Sequence, residues 1–488
     1  MIRIRNLLIC APAAAACLLL CSFTQDYVSP GGQFLIYSVL YFAIAAVALK
    51  LYKGSEPLDP FAPILPTFAL FYLYSAASAI NTVDTGAIHQ GESVSRDILN
   101  FFYICCLMGL IGLAAGFVLG KGTRVGIGIP GSFRERLSDR RTLSKLMWAA
   151  PLLGLLCASR LKGAFDFLHV KSYVETALSS RVEKMEMGAS QPLGEVFLYN
   201  IPLALLLMLG LLLLFRSRNL LGRLAGAALL SAHAATVLLS GQRSNLAMLG
   251  TLALIFVHYR VKRIGIWTLV VVFIAGFVMT GIVDLVRFTN NPVEMASILA
   301  ESVARGDTSF LKLGHTGEFL VGQNLMRLLI GMRDGETTYT YGESVISELL
   351  VFIPRALYRD RPLPLSGRFL DVFYPGLREA GAGYGSFYLT DGYWAFGLVG
   401  VLLFMIAHAC VVQWIYKAFT ENGMTDGTAL WWAYLIYVLV FLAVRMGTVG
   451  MFKPALINSL PFLLLYFIPT LRLATRPSPV VQRAPSEA

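Results

Sequence analysis

Charge is scarce in this chain: Asp, Glu, Lys and Arg make up only 14% of its 488 residues, 56% are hydrophobic, and the mean hydropathy is +0.66. A soluble domain carries roughly 25% charged and 45–50% apolar residues, so the composition excludes a water-soluble globular protein and calls for a polytopic membrane protein. Cysteine offers no framework either. All seven (Cys10, Cys17, Cys21, Cys105, Cys106, Cys157, Cys410) fall inside apolar runs, where a thiol is a small apolar side chain; neither a disulfide scaffold nor a zinc site is open to the loops. P-loop, HExxH and nucleophile-elbow motifs are missing, as is any evident repeat. The letters "GIGIPG" at Gly126 to Gly131 fit a dinucleotide fingerprint, but they follow no strand, contain Pro130 and lie in a basic loop, so they are not read as a nucleotide site.

What the chain has in abundance is long apolar runs. A bilayer demands roughly 20 residues of helix, and runs approaching that length lie near 6–22, 33–50, 61–80, 98–120, 145–161, 195–215, 222–239, 244–259, 264–283, 393–416, 429–446 and 454–471. About twelve transmembrane helices are therefore expected. The first, behind Arg3 and Arg5, has the basic start and apolar heart of a signal peptide, yet with further spans following it reads as a retained anchor.

A net charge of +11 is compatible with nucleic-acid binding, but in a membrane protein it more often reflects cytoplasmic loops. Alternating the spans from a cytoplasmic N-terminus places 21 Lys and Arg inside and four (Arg96, Arg243, Arg445, Lys453) in the short outside loops. Both termini are thus expected in the cytoplasm, with no nucleic-acid partner. The division is spans one to nine in 1–283, a large outside loop in 284–392, spans ten to twelve in 393–475, and a cytoplasmic tail in 476–488.

A loop of that length is functional or disordered, and this one has helix signals. Asn291 as N-cap, Pro292 at N1 and Glu294 at N3 open one helix; "GEFLVGQNLMRLLIGM" and "GESVISELLVFIP" read as two more, the last stopped by Pro354. A helical cap on the outer face is expected. Lysine is nearly absent from it: nine of its ten basic residues are arginine, with Lys312 alone, against thirteen acids. Arginine's planar fork grips phosphate or carboxylate oxygens in two places and keeps its proton. The positive charge concentrates in "LVFIPRALYRDRPLPLSGRF", where Arg355, Arg359, Arg361 and Arg368 face only Asp360 across a Pro- and Gly-stiffened backbone. Two readings compete, a phosphate grip and pairing with headgroups or the loop's own carboxylates. Arg243, in a turn between two spans, is a second arginine close to hydrocarbon and in need of a partner.

Candidate proton-transfer groups in the loop are His315, Glu318, Glu343, Glu348, Asp371 and Asp391. Tyr384 and Tyr388 have amphipathic faces suited to a sugar, while Tyr393 and Trp394 read as an interfacial belt.

Taken together, "GQRSN" at Gly241 to Asn245, the span after it ending in "YRVKR", the outer-loop segment "FIPRALYRDRP" and the closing "SFYLTDGYWAFGLVGVLL" resemble the O-antigen polymerase family, the polymerases of oligosaccharide repeat units. The resemblance implies a GT-C-like helical fold in the bacterial inner membrane. It implies glycosyl transfer at the periplasmic face, from a chain on undecaprenyl diphosphate to a lipid-linked repeat unit, with membrane lipid around it and a chain-length regulator and a flippase as partners. On that reading Arg243, Arg355, Arg359, Arg361 and Arg368 bind the diphosphate. His315, Glu318, Glu348 and Asp391 are candidates for catalysis, Tyr384 and Tyr388 for the sugar. Arginine neutralises the leaving group, and neither metal nor cofactor is expected.

Three other classes compete: an O-antigen ligase using the same donor, a lipid-linked glycan flippase or other transporter, and a non-enzymatic assembly subunit. A transporter places charged residues in mid-span, whereas these spans are nearly charge-free, and a subunit has no reason to concentrate arginine. The assumed orientation has a direct check. In a chain stripped of its native cysteines, Ser366→Cys reacts with an impermeant thiol reagent in intact cells and Arg140→Cys does not; labelling at position 140 overturns the topology.

Overall fold

The computed structural model describes residues 28–54, 58–88, 91–123, 201–239, 243–286, 319–350, 362–376, 385–421 and 423–467, with parts of 143–150 and 297–305 and the single residues 353 and 358. Among these residues the regular structure is helical. In chain order the elements are α1 (Pro30–Lys53), α2 (Ile64–Thr85), α3 (Arg96–Gly122), α4 (Ile201–Arg216), α5 (Leu220–Leu239), α6 (Arg243–Arg260) and α7 (Ile266–Val286). They continue with α8 (Gly322–Arg333), α9 (Glu343–Leu350), α10 (Leu365–Phe373), α11 (Thr390–Thr420), α12 (Asp426–Ile436), a π-helical turn Tyr437–Leu442 running into α13 (Ala443–Met446), and α14 (Phe452–Phe467).

Among the described residues five segments are long and apolar enough to cross a membrane: α1, α2, α3, α11 and the continuous Asp426–Met446. Helices also stand at the expected spans near 195–215, 222–239, 244–259, 264–283 and 454–471; the span at 6–22 and most of that at 145–161 lie outside the described residues. Local chemistry sets the ends. The hydroxyl of Ser29 accepts from Gly32 N, Pro30 follows at N1, and Lys50 and Lys53 occupy the last turn of α1. Ser95 caps α3 by accepting from Ile98 N, with Asp97 in the first turn and Lys121 in the last. Acid first and base last suits the helix dipole.

The spans meet through small residues and aromatic rings. On α3, Gly112, Gly116 and Gly120 lie every fourth residue against α11. A Cβ at Gly112 would lie 2.8 Å from both Leu402 O and Met405 Cβ, and one at Gly116 would strike Ile406 O. Contact this close brings Cys410 Sγ within 3.3 Å of Gly116 O, the small-residue packing that holds helices together where lipid removes the hydrophobic drive. Between α1, α2 and α3, the rings of Tyr37 and Tyr103 stack at 4.9 Å. The Tyr37 hydroxyl meets Ser75 Oγ at 2.7 Å, and that of Tyr41 donates to Phe68 O at 2.7 Å. The buried phenols of Tyr37 and Tyr41 each find a polar partner for their tips, while the Tyr103 hydroxyl has none among the described residues.

One end of the bundle is basic. There Lys121 donates to Tyr52 O, Lys417 donates to Thr123 O, and buried Asp426 is shared by Arg216 and Arg260. Beside them Asp59 Oδ2 accepts from the hydroxyls of Tyr259 and Tyr416, each at 2.7 Å, and Oδ1 accepts from Phe61 N. His258 Nδ1 accepts from Ile264 N, which leaves Nε2–H for Asp59 Oδ1 at 3.3 Å. Burial pushes the Asp59 carboxyl up, but these donors more than offset it and hold it at about 2.

The opposite end is capped, and here the structure differs from expectation. Rather than resting on the surface, α8 is inserted beside α2 and α3, and Gly322 through Gly331 are all buried. Its polar residues find partners that no local pattern shows: Gln323 Nε2 donates to Asn81 Oδ1 at 2.7 Å, and Asn324 Nδ2 donates to Gly385 O. The helix also starts later than "GEFLVG" suggests, at Gly322, with Phe319 buried in the turn before it. The first expected cap helix is described only in fragments within 297–305, and Asn291 and Pro292 lie outside the described residues.

A glycine exchange separates the contact from mere helix propensity. Gly116→Ala forces apart the α3–α11 pair and costs about 1–3 kcal/mol, the scale of overpacking. At Gly250 in α6 a Cβ meets nothing within 4 Å, and Gly250→Ala is neutral or stabilising by roughly 0.5–1 kcal/mol. Thermal unfolding of the two variants in one detergent is the measurement; equal midpoints remove the glycine contact from the account.

Candidate functional site

The capped end is organised by a break in α11. Helical backbone fails at Phe396 and Gly397, the latter at φ +64°, so Thr390–Ala395 forms a short first turn set off from the membrane-spanning rod. A break leaves carbonyls without their intrahelical donors. Trp394 O is taken by Thr340 N at 2.9 Å and by the Thr340 hydroxyl at 3.3 Å, and the Trp394 indole N–H donates to Thr338 O at 3.1 Å. The loop 337–341 is thereby fastened to the start of α11.

Trp394 is fully buried. The interfacial belt expected for it and Tyr393 is therefore wrong, because the indole N–H and the ring both find protein partners instead of the headgroup region. Its ring lies 6.2 Å from Phe369 and 6.0 Å from Phe373, both on α10. Two arginines bracket this aromatic cluster. The Arg327 guanidinium sits 4.7 Å over Phe373, and that of Arg368 sits 5.6 Å over Trp394, each a cation–π contact.

The two arginines differ in accessibility. Arg327, its side chain 11% exposed, holds Glu92 at 3.0 Å and Glu336 at 2.7 Å. Burial pushes the Glu92 carboxyl up, and Arg327 opposes that rise. Arg368, 36% exposed, makes a 2.8 Å pair with Glu343, which is 61% exposed. Arg333 pairs with Asp334 and donates to Ser95 Oγ. For these arginines, then, pairing with carboxylates of the cap and its neighbouring loop is what the structure shows.

Asp391 lies one turn before Trp394 and is 2% exposed. Its Oδ2 accepts from Val449 N at 3.0 Å and from the Thr448 hydroxyl at 3.3 Å. Gly447, at φ +80°, lets the chain pass against the carboxylate, which a Cβ there would strike. The loop before Asp391 is clasped by the same segment, since Tyr388 N donates to Val444 O at 3.1 Å.

Of the residues proposed from sequence, Asp391 shares the first turn of α11 with Trp394, and Arg368 packs over the Trp394 ring. Tyr388 does not present a face to a sugar: its ring is fully buried and stands edge-on to His408 at 5.0 Å, because its whole aromatic body is taken into the bundle. Glu343 is the exposed partner of Arg368, and Asp371 is exposed on α10. Arg243 opens α6 at the end opposite the basic Arg260, about 26 Å along the helix at 1.5 Å per residue. Glu348 lies in α9; the side chains of both are outside the described residues. His315, Glu318, Arg355, Arg359, Arg361 and Tyr384 lie outside them altogether. Sequence reading passed over Arg327, Glu92, Thr448 and Val449. Only Arg327 carried a signal, as an arginine set among the apolar residues Leu325, Met326, Leu328, Leu329 and Ile330.

No family model, no curated protein and no solved structure matches this chain.

The Arg327 node predicts a stability effect. Arg327→Ala removes both ion pairs and the Phe373 contact and costs about 1–3 kcal/mol, below the roughly 3–5 kcal/mol of breaking a fully buried pair because Glu92 and Glu336 are partly solvated. Arg327→Lys keeps the charge but not the fork, and recovers less than half. Thermal unfolding reads both; wild-type midpoints in both variants reduce Arg327 to a bystander.

Proposed function

We propose that the protein is a membrane glycosyltransferase that polymerises lipid-linked oligosaccharide repeat units at the outer face of the bacterial inner membrane. In this reading the chain has the full twelve spans, a GT-C-like fold and both termini in the cytoplasm. The growing glycan on undecaprenyl diphosphate is the donor and the terminal sugar of a new lipid-linked unit the acceptor. One observation carries the reading: a buried carboxylate, Asp391, and an accessible arginine, Arg368, are fixed to one rigid turn through Trp394. A base and an anion grip at the rim of a helical bundle are what a transfer from a lipid diphosphate needs.

Magnitudes favour exchange at Arg368. An exposed ion pair contributes about 0–1 kcal/mol, whereas a phosphate presented to a guanidinium forms two charge-assisted hydrogen bonds in a fixed plane. A diphosphate therefore displaces Glu343, while the indole beneath keeps the guanidinium in place. Arg243, Arg355, Arg359 and Arg361 complete the grip in this proposal. The bond between anomeric carbon and diphosphate oxygen breaks, a bond to the acceptor oxygen forms, and Asp391 takes the acceptor proton. Arginine stabilises the charge growing on the departing diphosphate, so a divalent cation has no task. A chain-length regulator and a flippase are the expected neighbours.

The test is reconstitution of the purified protein with separately made lipid-linked repeat units. A ladder of lengthened, still lipid-linked product is expected, at the same rate with chelator as with magnesium. Arg368→Lys lowers the rate roughly ten- to hundred-fold, Asp391→Asn lowers kcat by roughly 10²–10⁴-fold, and Glu343→Gln lowers KM with kcat kept. Transfer only to a lipid A core acceptor reassigns the protein as a ligase; wild-type rates in all three variants remove the site.

A further inference from the structure

At the basic end, far from the proposed site, a cleft of ≈ 240 Å³ opens between Asp59 and the chain segment from His258 to Arg263. Its walls are fixed. Val261 N and Lys262 N both donate to Val257 O, at 2.9 and 2.8 Å, and Ile264 N donates to His258 Nδ1 at 3.0 Å. This turn projects Lys262 and Arg263 outward. Both are exposed, and among the described residues no carboxylate pairs with either. Arg260, behind them, is anchored by Nε to Asp426 Oδ1 at 2.6 Å and by Nη1 to Met424 O at 2.6 Å.

Charge around the cleft is unbalanced. Asp426 is shared by Arg216 and Arg260, and Asp59 has its oxygens occupied by donors from His258, Tyr259, Tyr416 and Phe61 N–H. Four cations (Arg216, Arg260, Lys262, Arg263) therefore face two carboxylates, an excess of two positive charges. A second feature locates the cleft relative to lipid. Trp267, four residues beyond Arg263, is 79% exposed, and Val271 and Ile274 beyond it are 65% and 55% exposed. An outward tryptophan at the start of an outward apolar helix marks the headgroup boundary of a bilayer.

We propose that this cleft binds the phosphate of an anionic phospholipid headgroup, held by Lys262 and Arg263 over the anchored Arg260, with the acyl chains running down α7. Basic pockets between transmembrane helices take headgroups in this way. A phosphate headgroup fits within the ≈ 240 Å³ of the cleft. The proposal is independent of the transferase reading.

Native mass spectrometry of the detergent-solubilised protein tests it, with phosphatidylglycerol as the probe and phosphatidylethanolamine as the zwitterionic comparison. Wild type retains phosphatidylglycerol preferentially. Lys262→Gln with Arg263→Gln weakens retention by roughly tenfold or more. The exchange Lys262→Arg with Arg263→Lys preserves it, and Lys50→Gln with Lys53→Gln, neutralised at the same end but off the cleft, leaves it unchanged. Unaltered thermal unfolding of all three double variants excludes a folding effect. Equal loss in both Gln variants reduces the result to a general basic field, and equal retention of the two lipids removes the anion preference; either overturns the proposal. Displacement of phosphatidylglycerol by millimolar inorganic phosphate, but not by chloride at equal ionic strength, makes a soluble phosphate the ligand and overturns the lipid assignment.

Discussion

The close approach of α3 to α11 is the contact on which the remaining geometry depends. Inside lipid no hydrophobic force drives helices together, so the pair must gain dispersion and weak polar contacts by bringing backbones near. Gly112, Gly116 and Gly120 make that possible by presenting no side chain where Leu402, Met405, Ile406, Ala409 and Gln413 arrive. Once α11 is fixed along α3, both of its ends are fixed as well. The inner end carries Tyr416 to Asp59 and Lys417 to Thr123; the outer end delivers Asp391 and Trp394 to the rim.

From there the cap follows by a chain of backbone necessity. The break at Phe396 and Gly397 costs α11 its regular hydrogen bonds, and irregular backbone near a membrane persists only when protein satisfies it. Thr340 does so at Trp394 O, which docks the loop 337–341; that loop leads into α9, while α10 closes over the indole with Phe369 and Phe373. The strand of chain after α13 closes the other side by donating Val449 N and the Thr448 hydroxyl to Asp391. A carboxylate with this many local donors is held by the fold, and a transferase that uses it as a base inherits a fixed orientation at no further conformational cost.

Hydropathy made most of this legible as a list and little of it as an arrangement. The apolar runs marked where α1 to α3, α11 and α12 stand, since roughly 20 apolar residues have few alternatives to a helix in lipid. Insertion of α8 was hidden, because Gln323 and Asn324 look like surface residues until Asn81 and Gly385, distant in sequence, appear beside them. Trp394 and Tyr388 were misjudged for a related reason: aromatics with a polar tip suit a wet boundary and a buried core equally well, and only the fold says which. The nine-residue α10 was overlooked because a helix that short has no periodicity to count. Arg368 and Asp391 were legible one at a time, by chemistry; that Trp394 joins them is a tertiary fact.

Arg327 and Arg368 show how the same ingredients yield opposite roles. Each guanidinium lies on an aromatic face and each meets a carboxylate, so composition, spacing and even contact type fail to separate them. Exposure does. Arg327 is 11% exposed and shared between Glu92 and Glu336, so releasing it means leaving charge behind in a poorly solvated place, and no ligand is needed to keep it there. Arg368 is 36% exposed against a partner at 61%. Water already solvates that pair, its separation costs little, and the indole beneath holds the guanidinium whether or not Glu343 is present. The first arginine is therefore a rivet between the inserted α8 and its surroundings. The second is a counter-charge whose carboxylate partner is well exposed to water.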